Sequence, residues 1–71
     1  MYYIIYSLKG NPETFAIPDI SKKEAEATVA KLMTHDGLLV LVTGEYNDTM
    51  RAVLQSAFDE GMASRAGPTC N

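Results

Sequence analysis

"YYIIYSL", residues 2–8, decides the fold. The run is rich in aromatic and β-branched residues and too short for a helix, so it reads as a strand. Along a strand, successive side chains point to opposite faces. Tyr2, Ile4, Tyr6 and Leu8 therefore share one face, and Tyr3, Ile5 and Ser7 share the other. Both rows are largely apolar, whereas a strand with one wet face alternates apolar with polar. The pattern predicts a central strand, and the neighbouring elements have to be arranged around it.

Working outward, "KGNP" (9–12) is a concentrated turn signal. "ETFAI" (13–17) then alternates, with Phe15 and Ile17 on one side, and Pro18 closes this second strand. The two strands make a hairpin. A helix follows within residues 20–37. Ser21 and Glu24 form a capping box. Ala25, Val29, Leu32 and Met33 make an apolar stripe at helical spacing, with Lys22, Lys23, Glu26 and Lys31 mainly opposite. Gly37 is read as the left-handed stop. "LLVLVT" (38–43) is the third strand, again apolar on both faces. Met50, Val53, Leu54, Ala57 and Phe58, extended by Met62, give a second amphipathic helix that ends near Gly61. "SRAGPTCN" (64–71) has no periodicity and is read as a flexible C-terminal tail behind a single domain of residues 1–63.

The order is β-β-α-β-α. If the third strand returns antiparallel beside the first, the sheet order is 2-1-3 with the doubly apolar strand in the middle. The expectation is a two-layer α+β domain, a three-stranded antiparallel sheet with both helices on one face. The alternative pairs the third strand with the second, in parallel.

Seventy-one residues make one small domain. A chain of this size buries only about 60% of the surface its unfolded form exposes. Cys70 is the only cysteine, so no disulfide forms within the chain. One histidine beside one cysteine makes a metal site a poor expectation, and good packing or association is left as the source of stability. A hydrophobic content of 46% belongs to a folded chain. The net charge of −3 argues against direct nucleic-acid binding, which needs clustered Lys and Arg. The apolar runs Met1–Tyr6 and Leu38–Val42 are too short to cross a bilayer, and no leader pattern follows Met1. A lone cysteine suits a reducing compartment, so the expected location is cytoplasmic, including a host cytoplasm.

No residue set announces a chemistry. "LVTGEYNDTM" (41–50) has the strand, glycine, helix order of phosphate-binding sites. It has one glycine, however, and the anionic Glu45 and Asp48 lie before the helix. It reads as a turn followed by an Asn47 or Asp48 cap. His35 with Asp36 lacks a nucleophile, and Asp59 with Glu60 lacks a loop of oxygen ligands. Cys70 lies in the tail, where nothing would lower its pKa. The sequence thus assigns no catalytic, cofactor or metal residue. It points instead to a contact surface. With both helices on one face, the other face would carry Tyr3 and Ile5, or Tyr2, Ile4 and Tyr6, together with Leu39 and Leu41 or their neighbours. Tyr3, Ile5, Tyr6, Glu45, Tyr46, Asp48, Asp59 and Glu60 are the partner-binding candidates.

In size, acidity and cysteine poverty the chain resembles the compact inhibitors that phages and mobile elements make against host machinery, anti-CRISPR proteins among them. The resemblance implies a non-catalytic protein that binds and blocks a larger partner protein. Two alternatives remain: a homodimeric structural or accessory protein with its sheets back to back, and a small dimeric enzyme or ligand-binding protein with an inter-subunit site anchored by His35 and the tyrosines.

Overall fold

The computed structural model describes residues 1–67. In chain order the elements are β1 (Tyr2–Leu8), β2 (Thr14–Ile20), α1 (Lys22–Met33), β3 (Leu38–Glu45), α2 (Asp48–Asp59) and β4 (Ser64–Arg65). The class is α+β, and the sheet order is β3-β1-β2-β4. The predicted 2-1-3 core is present, with β1 antiparallel to both neighbours. A fourth strand extends it: β4 pairs in parallel with β2, Phe15 against Ser64 and Ala16 against Arg65. Ser64 and Arg65 therefore belong to the sheet, in the stretch read as a tail. Residues 68–71 of that stretch, including Cys70, lie outside the described residues.

The helices lie on opposite faces of the sheet, which corrects the two-layer expectation. Cross-strand partners share a face. Ile4 pairs with Ile17 and Thr43, and Tyr6 pairs with Phe15 and Leu41. This face carries the main core: Ile4, Tyr6, Ile17 and Ile20 with Ala25 and Leu32 of α1. The opposite face carries Ile5 with Ala16 and Val42, and Arg65 through its pairing with Ala16. The Arg65 guanidinium stands 4.5 Å from the centre of the Phe58 ring of α2. Leu54 of α2 is 2% exposed yet is not part of the α1-side core. So α1 covers one face and α2 the other.

Crossover handedness explains the arrangement. Strands β2, β3 and β4 all run the same way, opposite to β1. The β2–α1–β3 crossover moves across the sheet in one direction, and β3–α2–β4 moves back. Crossovers between parallel strands keep one hand. Two of them travelling in opposite directions must put their helices on opposite faces, as in doubly wound sheets.

Local chemistry sets the element ends. The Ser21 hydroxyl accepts from the Glu24 N–H at 3.2 Å, as the capping box predicts. Helix α1 ends at Thr34, and the stop is not a left-handed Gly37. Instead, the Thr34 hydroxyl donates to the Lys31 carbonyl at 2.8 Å. The buried stripe of α1 is Ala25, Thr28 and Leu32, and Met33 is exposed. The Thr28 hydroxyl is buried with no hydrogen-bond partner among the described residues. Helix α2 starts at Asn47, whose side chain accepts from the Met50 N–H at 2.9 Å. It ends as predicted at Gly61, whose φ is +73°. The Met62 N–H reaches the Ala57 carbonyl, and the Gly61 N–H reaches the Phe58 carbonyl, closing a Schellman motif.

Pro18 does not end β2. The strand runs on to Ile20, and the register with β1 shifts between Tyr2 and Ile4. Asp19 takes a φ of +55° in this bulge. A bulge excuses proline from the hydrogen-bond ladder, and aspartate tolerates the left-handed region.

Candidate interaction surface

The question raised by "LVTGEYNDTM" is answered by Tyr3. Strand β3 continues through Glu45, so Gly44 is a strand residue and not a turn. It pairs with Tyr3. A Cβ at Gly44 would meet the Tyr3 ring and hydroxyl at 3.1 Å, so the hydroxyl end of the ring lies against the glycine. The Thr43 hydroxyl donates to the Tyr3 carbonyl at 2.9 Å beside it. The glycine makes room for an aromatic ring; with the helix N-terminus already capped by Asn47, no phosphate cradle is formed.

The partner-binding candidates separate into groups. Tyr3 and Ile5 lie on the α2 face of the central strand and are half-buried. Tyr6 belongs to the core and is no contact residue. It is 8% exposed and stacks on Phe15 with ring centres 5.3 Å apart. Burial raises its phenol pKa above 10.0. Tyr46 is half-buried, donates its N–H to the Met1 carbonyl at 2.8 Å, and lies 5.9 Å under the Arg51 guanidinium. Glu45 and Asp48 are exposed near the start of α2, and Asp59 and Glu60 are exposed at its end. A twelve-residue helix holds these two acidic pairs about 17 Å apart, since each residue rises about 1.5 Å. They are two separate sites of charge, not one patch. Asp59 also accepts from the Gln55 amide at 3.0 Å.

The remaining polar candidates stay apart. The His35 Nδ1 accepts from the Gly37 N–H at 3.0 Å, which ties the ring to its own loop. No group of His, Cys, Asp and Glu among the described residues is arranged to hold a metal ion. No described helix is long and apolar enough to cross a membrane.

Exposed apolar side chains concentrate on β3. Leu39 is 64% exposed, Val40 50% and Val42 44%. Val40 and Val42 pair with Ser7 and Ile5 on the α2 face, so they adjoin the two candidates from β1. Leu41, by contrast, packs against the α1-side core. On the α1 face, a groove of about 390 Å³ runs beside β3, lined by Tyr2, Ala25, Val29, Ala30 and Thr43 with Lys22 and Glu26. Sequence reasoning missed this groove. Its trace in the sequence is the pair of small residues Ala25 and Ala30 on α1.

Compared with protein-family models, curated proteins and solved structures, the chain matches none. What the fold and the surface define is a small α+β domain whose strand β3 exposes Leu39, Val40 and Val42.

Proposed function

We propose that this is a non-catalytic domain that binds and blocks a larger protein, in the manner of phage- or mobile-element-encoded inhibitors of host machinery such as anti-CRISPR proteins. The observation that carries the reading is the row of exposed valines, Val40 and Val42, beside Ile5 on the α2 face. Contiguous apolar side chains at the surface of a small domain mark contact sites. The scattered polar groups support binding over catalysis, because His35, the acids and the tyrosines do not converge on a common point.

The test is affinity capture from lysate of a candidate host, with wild type and Ile5→Lys immobilised in parallel. The reading requires a single protein retained in stoichiometric amount by wild type and lost on Ile5→Lys. Equal retention by both proteins rejects this face. A charge-reversal series at Glu45, Asp48, Asp59 and Glu60 asks separately whether the target offers a basic groove. Loss of binding supports imitation of nucleic acid; unchanged binding removes it.

A further inference from the structure

We infer that β3 pairs edge to edge, antiparallel, with the β3 of a second copy of this chain, about a two-fold axis at Leu41. Among the described residues, strand β3 hydrogen-bonds on one side only, to β1. Over its eight residues it contains no proline and no lysine, and Leu38 to Gly44 contain no charge at all. An edge strand of this length presents a row of backbone N–H and C=O groups that a further strand can take up, and natural sheets blunt such edges with charge, proline or extreme shortness. Here such devices are confined to the two ends of the strand, the register shift near Leu38 and the charge of Glu45. For a chain of net charge −3, a second copy is admitted most easily where no charge lies.

The same features set the register. Centring the two-fold axis on Leu41 pairs the whole uncharged strip with itself. Val40 then faces Val42 of the second copy, twice over. Leu39, the extra residue of the β3 bulge between Val40 opposite Ser7 and Leu38 opposite Leu8, flanks these pairs and stands 64% exposed in its own chain. Two four-stranded sheets join into one of eight, with the edge row satisfied. On the α2 face the Ile5, Val40 and Val42 rows of both copies become one continuous apolar strip. That last consequence rests on the proposed binding role; the pairing itself does not.

The experiment is solution mass by light scattering, from about 1 µM to about 1 mM, a range that covers weak to moderate association. It needs no foreign protein, so failure of the pairing and failure of the binding role are separate results. Wild type should be dimeric in the upper part of the range. Val40→Lys with Val42→Lys opposes lysine to lysine across the axis and should weaken the dimer at least ~100-fold. Val40→Lys with Val42→Glu opposes unlike charges in this register only, and should dimerise about tenfold or more tightly than the double lysine. Both positions are exposed, and circular dichroism checks that both variants fold. Hydrogen exchange on wild type should show β3 amides better protected at high than at low concentration. A wild type that stays monomeric, a double lysine that dimerises like wild type, or β3 protection that ignores concentration overturns the pairing. A lysine–glutamate variant no tighter than the double lysine overturns the register centred on Leu41.

Discussion

The two edges of the sheet are built on opposite plans. Strand β3 is eight residues long, apolar and uncharged to Gly44, and it is attached through its full ladder with β1. Strand β4 is two residues long, pairs in parallel with β2 and is held by side chains as well. The Ser64 hydroxyl donates to the Glu13 carboxylate at 2.6 Å, Arg65 stacks on Phe58, and the Ala66 N–H donates to the Ala16 carbonyl at 2.9 Å. One edge is long and bare, the other short and clipped. Shortness and charge close an edge to further strands. Among the described residues the two edges thus differ in kind: shortness and charge guard the β4 edge, and the β3 edge carries neither along Leu38 to Gly44.

The sharpest way to break the β4 side is Leu54→Ala. Leu54 is the buried residue of α2, and only eight hydrophobic residues are buried among those described. The loss should be about 2–5 kcal/mol, the usual cost of Leu→Ala in a core, and α2 and β4 should loosen together. Chemical denaturation measures the first, and amide exchange at Ala66 the second. A loss under about 1 kcal/mol would place α2 outside the core.

On the β3 side, Gly44→Val drives a side chain into the Tyr3 ring. Overpacking of this kind costs about 1–3 kcal/mol. Tyr3→Ala in the same chain should recover part of it, because the clash is with that ring. Additive losses in the double-mutant cycle would mean that Gly44 matters for its backbone and not for the room it leaves.

Removing the clips from β4 has a smaller effect. Arg65→Ala gives up the stacking on Phe58, worth about 0.5–1 kcal/mol at an exposed site. Ser64→Ala gives up one hydrogen bond, worth about 0.5–1.5 kcal/mol. Together they should speed exchange of the Ala66 amide while leaving the amides of β1 unchanged. Equal acceleration in β1 would show that the two edges unfold as one unit.

Tyr6, between the edges, gives the smallest effect near neutrality and a growing one in alkali. Its folded pKa is raised by burial from 10.0, so the fold holds the neutral phenol. The stability this represents is present below the unfolded pKa and is lost as pH rises through the folded one. Wild-type stability should fall more steeply than that of Tyr6→Phe above about pH 10, the ordinary tyrosine value. Parallel curves for the two proteins would show that other groups carry the alkaline loss.

Much of the fold was legible because local chemistry writes it. The doubly apolar "YYIIYSL" placed β1 at the centre. The capping box at Ser21 and Glu24 and the glycine at 61 marked helix ends through hydrogen bonds made within a few residues. Most of the misread positions depended on distant partners. Gly44 looks like a turn glycine, yet it serves a ring forty-one residues away in the chain. Pro18 looks like a strand end until a bulge accommodates it. Met33 fits the stripe of α1 as well as Thr28 does, and only the seat of the helix on the sheet chooses between them.

The candidate surface followed the same division. Sequence pattern predicted an apolar face beside Tyr3 and Ile5, since strands 1 and 3 lack the alternation that water requires. It did not predict that Tyr6 is core, that the acids divide between two ends of a helix, or that the exposed row belongs to an edge. What the sequence determined by itself was each element with a short-range signal and the central place of β1. The tertiary structure alone decided which face each helix covers and which edge stays open. Both depend on β4, two residues without pattern, whose pairing with β2 sends the last crossover back across the sheet and so puts α2 on the opposite face from α1.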